Sequence, residues 1–518
     1  MNGANLPAKR VLSVLLVFVA TVMFLPQFAH SSPSSGQTHA PIFINGNNGF
    51  TADNGVTGGS GTSSDPYIIE NWLITTSGIG IEIDNTNAFF VITNVSIQGM
   101  VRPATAILFS NVSNGELTNS IMQGFYVGVS SASSSQITLS EDSYVDVYQA
   151  VALQTTTNVL IEKNNQAASA GFSITTLNTS NVSIVDNSLN GEMSLGHSAS
   201  FSITGNQMHG FGAGIHVDSS HEFSISGNQI QGAWGPPGRN CCRAIAIFVS
   251  QSDGFEISGN SITGSPNGIW FQTVIDATVQ NNVISNSSGL IGFEAQNLAV
   301  IDNILENSSI SLFGSNISIT GNKLHGTRGI DVRSSDGLEI SGNEVSDGPL
   351  GVRVSISNAH MGFVIEGNTI LRNGIGILVQ SSQGLDILNN KVSSNGVGIS
   401  VDSSYPNVES GNITIAQNEL SSNGGGVVLN STFGILAYHN NFYGNAVQAS
   451  DYNSTDNAWD NGYPIGGNFW SDYTATDACS GPNQDVCSGP DGIGDTPYVF
   501  NYNRDNYPLM QPYSKVSE

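Results

Sequence analysis

Basic residues are scarce in this 518-residue chain: 14 lysines and arginines stand against 40 aspartates and glutamates, for a net charge of −26. Nucleic-acid binding needs a basic surface, so this balance predicts that nucleic acid is not a partner. Charged residues make up only 10% of the chain, and 59 glycines suit a protein rich in turns. The acidic excess is typical of an exported protein that is kept soluble by its charge.

Long apolar runs are missing except near the N terminus. There a basic pair at positions 9–10 precedes an apolar run at 11–25, which is the pattern of a secretory signal. Cleavage near Ala29 or Ala40 is one outcome, and an uncleaved N-terminal anchor is the other. Residues 1–40 are therefore predicted to be a signal or anchor with a polar linker, and this segment alone could tether the chain to a membrane.

A helical period is also absent, and a short β unit repeats instead. In residues 329–348 apolar and polar residues alternate over short runs, which is the period of a strand with one buried face. The unit ends in Asn, and from Asn94 to Asn440 it recurs in fifteen steps with a mean near 23 residues. One unit cannot bury its own apolar face, so successive units must stack. The repeat predicts an all-β fold, a single-stranded right-handed parallel β-helix of about 16 coils whose Asn side chains form a ladder.

The repeat also predicts how the chain is divided. It covers residues 73–445, which we expect to form one continuous rod. Residues 41–72 precede the repeat and residues 446–518 follow it. Open strand edges would pair with other chains, so both segments are predicted to be caps. Three stretches of irregular spacing predict loops that leave the stack: 228–260, 343–368 and 390–418.

Cysteine is rare, with four in the whole chain. Cys479 and Cys487 lie eight residues apart in the C-terminal segment, and in an exported protein this predicts a disulfide. Cys241 and Cys242 are adjacent, and the sequence leaves open whether they are free or linked to each other.

Acidic residues crowd the glycine-rich turns of the same C-terminal segment. Asp485, Asp491 and Asp495 follow Asp472 and Asp477. Ca²⁺ prefers six to eight oxygen ligands from flexible loops, so the first three residues are calcium candidates. Their spacing is not that of an EF-hand. The alternative is that these aspartates only form turns.

Counting from the repeated Asn predicts two rows of outward side chains along the rod. Aromatic and polar residues in these rows could bind a sugar chain by stacking and hydrogen bonding, and the ligand-binding candidates are Trp270, Phe248, Asp218 and His216. Further along, carboxylates could act as acid and base, and the catalytic candidates are Asp331, Arg333, Arg353 and Glu294. The alternative is a solvated face whose ion pairs are worth about 0–1 kcal/mol each.

Motifs at both ends resemble one family. The segment NGVTGGSGTSSDPYIIENWLI at 54–74 is similar to the opening of NosD-like exported β-helix proteins, which belong to the wider group of carbohydrate-binding and sugar-hydrolysing (CASH) domains. GNFWSDY at 467–473, DGIGDTPY at 491–498 and DNYPLM at 505–510 resemble the end of such proteins. The resemblance implies a β-helix and an exported location in the extracellular space, at the cell surface or in the periplasm.

The resemblance also implies copper binding, but the positions of the histidines give little support for a copper site. His209 and His325 occupy equivalent positions five coils apart, roughly 24 Å by the coil rise, which is too far for one ion. His197 and His221 fall in neighbouring coils. Soft ligands favour Cu(I), yet the sequence contains no His-x-His or Met-rich run.

Three functions follow from these observations. The first is a non-enzymatic binding or scaffold protein whose partner is a polysaccharide or another cell-surface component. The second is a polysaccharide lyase or hydrolase that uses the outward face. The third is an accessory protein that delivers copper.

Overall fold

The computed structural model describes residues 36–102, 104–167, 171–211, 214–234, 245–326, 328–334, 336–356, 362–403 and 409–514. The predicted signal segment up to residue 35 and the pair Cys241 and Cys242 lie outside the described residues. Among those described, no helix has the length and apolar character needed to cross a membrane.

Three sheets of mostly parallel strands wind around one core. In the described part of the chain, sheet 1 contains nineteen short strands: Gln37–His39, Trp72–Thr76, Ser96–Gly99, Ile121–Gln123, Ser143–Val145, Asn165–Ala167, Ser188–Leu189, Gln207–Phe211, Gln229–Trp234, Ser261–Thr263, Val283–Ser285, Ile304–Glu306, Lys323–His325, Glu344–Ser346, Thr369–Leu371, Lys391–Ser393, Glu419–Ser421, Asn441–Tyr443 and Phe469–Trp470.

Sheets 2 and 3 share five long strands that turn the corner between them: Thr105–Thr118, Ile245–Ser258, Asn267–Gln280, Gly289–Ile301 and Ser309–Thr320. The other strands of sheet 2 are Ile42–Asn45, Ile81–Thr86, Val127–Ala132, Gln149–Gln154, Phe172–Leu177, Glu192–Gly196, Ile215–Asp218, Ile330–Ser334, Leu350–Ile356, Ile375–Gln380, Val397–Asp402, Gly425–Asn430 and Val447–Tyr452. Those of sheet 3 are Val56–Gly58, Tyr67–Glu70, Phe90–Thr93, Ser135–Ser140, Thr157–Glu162, Ser180–Val185, Ser202–Thr204, His221–Ser226, Leu338–Ser341, Phe363–Glu366, Leu385–Leu388, Thr414–Ala416 and Leu436–Tyr438.

The fold is a right-handed parallel β-helix of about 16 turns, so the predicted fold class is confirmed. Alternate side chains of each strand point inward, and in sheet 2 the buried residues Ile247, Ile269 and Leu290 pair in register from coil to coil. Burying one such side chain stabilises the fold by roughly 1.5–3 kcal/mol. Because the apolar period keeps one face of every strand inside, the other face is free to carry a site.

The predicted Asn ladder runs through the interior. Each Nδ2 donates to Oδ1 of the next Asn at 2.9–3.0 Å, from Asn164 to Asn468. Nδ2 also donates to a main-chain carbonyl of the preceding coil, as Asn282 does to Ile257 at 2.9 Å. The ladder therefore satisfies main-chain groups that the corner would otherwise leave buried without partners.

The first coils differ from the prediction by one residue. Asn94 and Asn119 do not occupy the ladder position but precede it, with left-handed backbones at φ 51°. The ladder position is held by Val95, Ser120 and Asp142, whose main-chain amides donate to the next coil. In several later coils a glycine takes this left-handed position, and the ladder Asn follows it. Asn tolerates the left-handed backbone as well, so an Asn at this corner can hold either the left-handed position or the ladder position. A second buried ladder, which the repeat did not predict, joins Asn373, Asn395, Asn423 and Asn445.

The two ends depart from the repeat. At the N-terminal end, Gln37–His39 pairs in parallel with Trp72–Thr76, although it lies within the segment predicted as a linker. Val56–Gly58 runs antiparallel to Tyr67–Glu70. Short 3₁₀ helices lie at Asn47–Gly49 and Ala52–Asn54.

At the C-terminal end, parallel pairing continues past residue 446 to Phe469–Trp470. A small parallel pair, Ser410–Gly411 with Thr432–Phe433, lies between the strands of sheets 2 and 3, and an antiparallel hairpin joins Tyr498–Phe500 to Asn503–Asp505. Asp505 ends the ladder by accepting hydrogen bonds from the Asn468 amide at 2.7 Å and the Trp470 indole at 2.9 Å. Burial raises the pKa of this carboxyl to about 7.

Candidate functional site

One outward row of sheet 2 contains five of the eight predicted ligand-binding and catalytic residues. Its members are paired in register across successive coils: His216, Phe248, Trp270, Ile291, Ser311, Asp331 and Arg353. Because neighbouring strands lie about 4.8 Å apart, three coil steps place Asp331 roughly 14 Å along the rod from Trp270. The row therefore passes from an aromatic part to a charged part.

The aromatic part is a ladder of ring contacts. The ring centroids of His216 and Phe248 lie 5.7 Å apart, and those of Phe248 and Trp270 lie 6.3 Å apart, both edge to face. Phe293 continues the contact at 6.2 Å from Trp270 and is 47% exposed. His216 Nδ1 also lies 3.0 Å from Glu192 Oε1. Such a surface offers ring faces and edges on which a flat apolar ligand face can stack.

The charged part lies in a groove of about 630 Å³ that spans four successive coils. Its walls combine hydroxyl, apolar and charged side chains: Ser287, Ser288, Ile291, Ser308, Ser309, Ile310, Ser311, Arg328, Asp331, Pro349, Leu350 and Arg353. A volume of this size falls in the range of small-molecule sites, which are typically apolar with a few polar groups that orient the ligand.

Asp331 and Arg353 face each other across one coil step in this groove. Arg353 Nη1 lies 3.8 Å from Asp331 Oδ2, and both side chains are about 70% covered. Asp331 Oδ1 and Arg353 Nε are buried and have no hydrogen-bond partner among the described residues. An ion pair that served stability alone would satisfy these atoms, since each unmatched buried group costs about 1–3 kcal/mol. The pair is therefore incompletely matched by the part of the chain that the structure describes.

Two of the four predicted catalytic residues lie apart from this pair. Ile291 rather than Gly292 pairs with Trp270, because the turn before this strand is one residue shorter than in the preceding coil, and a one-residue slip reverses every side chain. Phe293 takes the place predicted for Glu294. Glu294 lies at a left-handed corner, φ 55°, and accepts a hydrogen bond from Thr273 at 2.9 Å, so its prediction as a member of the cluster is wrong.

Arg333 and Asp218 have outward positions beside the row. Arg333 is exposed, on the same strand as Asp331, but does not line the groove. Asp218 accepts hydrogen bonds from Ser250 at 2.5 Å and Ser219 at 3.0 Å. The carboxylate of Asp218 is thus already engaged, near the His216 end of the row.

The acidic turns near the C terminus bind their own backbone. The Asp495 carboxylate accepts hydrogen bonds from the amides of Ala478 and Cys479, which lowers its pKa. Asp491 accepts one from the Ile493 amide at 3.0 Å. Asp485 is exposed, and calcium binding by these three residues stays a prediction.

The disulfide predicted in the same segment is present between Cys479 and Cys487. It closes the turn in which Ser480 and Val486 form an antiparallel bridge. The disulfide thus fixes the fold of this cap.

His209 and His325 lie far apart, as their spacing predicts. Register places His209 and His325 in the same row five coils apart, and His325 instead lies 3.2 Å from Asp347. No group of three or more His, Cys, Asp or Glu side chains that could hold a metal exists in the described part of the chain. These residues therefore do not supply a donor set that fits copper.

Sequence reasoning missed the groove's turn residues. Ser287, Ser288 and Arg328 lie in turns that precede the strands, where coil lengths vary and alignment on the Asn gives no position. The one available signal is the repeated Ser pair, at 287–288 and again at 308–309.

Comparison with known families gives two matches. The model described as periplasmic copper-binding protein (NosD) matches residues 190–312, 239–359 and 288–475, which together span more than half of the chain. The model described as a right-handed beta helix region matches residues 77–230. A search of curated proteins finds no match.

Solved structures with a similar fold include an alginate epimerase, a mannuronan C-5 epimerase and an alginate lyase. A mutant of the periplasmic alginate epimerase AlgG is 14% identical, covers 81% of this chain and 84% of its own, and has a TM-score of 0.23. The A-module of the Azotobacter vinelandii mannuronan C-5 epimerase AlgE4 is 13% identical, covers 72% of this chain and 90% of its own, and has a TM-score of 0.27. The alginate lyase AlyF-OU02 is 12% identical, covers 62% of this chain and 86% of its own, and has a TM-score of 0.35. Likenesses at this level carry no functional information. The extent of the family match is what decides: the chain belongs to the NosD family of β-helix proteins.

Proposed function

We propose that this protein binds a polysaccharide along the outward face of sheet 2, without cleaving it. The observation that carries the proposal is the groove beside the aromatic ladder, lined by serine hydroxyls, apolar side chains and the incompletely matched pair Asp331 and Arg353. A sugar chain lying along the rod would meet Trp270 with its apolar face and the groove with its hydroxyl groups.

The carboxylates favour binding over hydrolysis. Most glycosidases use two carboxyl groups that flank the scissile bond. Among the described residues that line the groove, Asp331 is the one carboxylate, since Glu294 lies at the corner. The proposal therefore assigns Asp331 to orientation of the ligand.

An exported location is part of the proposal. The matched family is described as periplasmic, and disulfides such as Cys479–Cys487 persist in oxidising compartments. Both observations support a site of action outside the cytoplasm, at the cell surface or in the periplasm.

A glycan array with purified protein tests the proposal. Stacking on an aromatic side chain is worth about 1–3 kcal/mol, by analogy with bases, so Trp270→Ala should weaken binding by roughly ten- to hundredfold. Phe43→Ala is the matched control, because Phe43 is 51% exposed and belongs to the same row of sheet 2. It lies near the N-terminal end of the rod, many coils away from Trp270. Binding that Trp270→Ala leaves unchanged, or no binding to any glycan, would overturn the proposal.

Sizing of the bound glycan after incubation separates binding from catalysis. The proposal expects intact polymer. Shortened products that disappear with Asp331→Asn would show an enzyme instead, because an amide cannot take up the proton that a carboxylate accepts.

Copper binding is the second candidate, favoured by the description of the matched family. Since the described residues supply no fitting donor set, a copper site would need donors from outside them, such as Cys241 and Cys242. Titration with Cu(I) under a competing chelator tests this. A stoichiometric uptake that is lost in the Cys241→Ser, Cys242→Ser double variant supports it, and no uptake by the wild-type protein removes it.

A further inference from the structure

We propose that the groove selects acidic polysaccharides and that Arg353 and Arg328 bind the carboxylate groups of uronic-acid units. The inference rests on the proposed polysaccharide binding and adds the class of sugar.

The charge of the groove is opposite to that of the chain. The whole chain carries 40 acidic and 14 basic residues. Among the described residues that line the groove, two are basic, Arg328 and Arg353, and one is acidic, Asp331. The groove is thus locally positive on a strongly negative protein, and a ligand of negative charge is the one that this arrangement favours.

Two other described arginines have acidic partners. Arg372 donates to both oxygens of Asp347 at 2.6 Å, and Arg102 donates to Asp146. Within the described residues neither Arg328 nor Arg333, which lies near the other end of the strand that follows Arg328, forms an ion pair. Exposed arginines that lack an acidic partner retain donors for a ligand.

Arg353 is held loosely by its own partner. Its contact with Asp331 is 3.8 Å, beyond hydrogen-bond length, whereas a matched Arg–carboxylate pair is bidentate and shorter. The guanidinium has five N–H donors in a planar fork that fits a carboxylate. The side chain of Arg353 is 28% exposed in the groove, so its outer edge is accessible to a sugar carboxylate.

The serines fit the remainder of such a ligand. Ser287 and Ser311 line the same groove on successive coils, and their hydroxyl groups can donate to sugar hydroxyl groups. Ile291 and Leu350 provide apolar contact for the ring. Neutral sugars would use these contacts equally well, so the arginines are the residues that set the preference.

Two polymers that share one backbone provide the sharpest test: polygalacturonate and its methyl ester, which lacks the charge. The proposal expects the acid form to bind at least about tenfold more tightly at low salt. Its affinity should fall as salt rises, because a Debye length of about 8 Å at physiological ionic strength screens exposed charges. An alginate sample beside its esterified form repeats the comparison on a second backbone.

Substitutions assign the preference to the groove. Arg328→Gln and Arg353→Gln should each weaken binding of the acid form by about tenfold or more and leave the ester unchanged. Arg504→Gln is the control, since Arg504 is exposed on the C-terminal hairpin. Asp331→Asn should have the opposite effect on affinity. It should tighten binding of the acid form severalfold, because it removes the negative charge among the described groove residues. Arg328→Gln tests the proposal even if Arg353→Gln fails to fold, because Arg328 is exposed.

The outcomes distinguish this inference from the function beneath it. Equal binding of acid and ester, preference for neutral glycans, or a preference that survives both arginine substitutions would overturn acidic selectivity while polysaccharide binding stands. Failure of every glycan, charged or neutral, would overturn both.

Discussion

Two rows of side chains run along this solenoid, the buried Asn ladder and the outward row of sheet 2 from His216 to Arg353. Both step once per coil. The ladder keeps one residue type from Asn164 to Asn468, whereas the outward row passes from aromatic to charged residues. The same backbone period therefore serves a uniform structural role inside and allows a varied surface outside.

The difference also shows in hydrogen bonding. Asn282 donates to Asn303, to Ile257 and to Gln280 and accepts from the Asn260 amide. In the outward row Asp331 Oδ1 and Arg353 Nε have no hydrogen-bond partner among the described residues. From Asn164 to Asn468 the buried ladder amides are hydrogen-bonded, because an orphaned group is costly. Unmatched atoms in a groove point to a site that recognises something other than the chain itself.

Breaking the ladder should have the largest effect. Asn282→Leu orphans the amide of Asn260 and the carbonyl of Ile257, and each buried unmatched group costs about 1–3 kcal/mol. Together with the lost ladder bonds we expect destabilisation of roughly 5 kcal/mol. Chemical denaturation followed by circular dichroism measures it.

An exposed Asn contact provides the control for that variant. Asn316 donates to Asn297 at 2.7 Å on the surface, with a left-handed backbone that glycine tolerates. Asn316→Gly should change the free energy of unfolding little. Equal losses for the two variants would contradict the architectural role of the buried row.

The end of the ladder should make stability depend on pH. The pKa of Asp505 is about 7 in the folded protein, above the value near 4 of a solvated aspartate, so the folded state holds an extra proton between these values. The protonated Asp505 carboxyl therefore adds to the free energy of unfolding. This stabilisation is fully present below about pH 4 and is lost as the pH rises to about 7, on the order of 4 kcal/mol in total. Asp505→Asn should flatten the change in denaturation midpoint over this window, and an unaltered slope would exclude Asp505 as its source.

An exposed charged pair should have the smallest effect. Arg372 binds Asp347 bidentately and lowers the pKa of that carboxyl to about 2. Arg372→Gln should bring the Asp347 pKa back toward the ordinary range, as NMR titration would show, with little change in the thermal midpoint. A large loss of stability would mean that surface pairs support this fold more than the ladder comparison implies.

The interior was predictable from sequence because it repeats. ITGN and ISGN copies locate Asn206, Asn228, Asn260 and Asn322 in the ladder without error. The first coils were one residue off, because Asn also suits the left-handed corner before the ladder. The sequence did not predict the second ladder, from Asn373 to Asn445, because it spans only four coils and begins after an irregular stretch of the chain.

The outward site was predictable only in part. Trp270, Asp331 and Arg353 were found because they lie on strands, where the position from the corner Asn is nearly constant. Glu294 was misplaced by a turn one residue shorter, and Arg328 and the paired serines belong to turns whose length the repeat does not fix. Side chains on turns need the three-dimensional structure because a period of two holds only within strands.

Hydroxyl-radical footprinting of the full chain, with and without the tightest-binding glycan of the array, tests the central claim most directly. If the ligand lies along the outward row, Trp270, Phe293 and Leu350 should be oxidised more slowly in its presence. The exposed tyrosines Tyr126 and Tyr502, which lie away from the groove, should be unaffected. Unchanged oxidation at Trp270 and Leu350, or protection confined to the tyrosines, would contradict the assignment of this face as the polysaccharide-binding site.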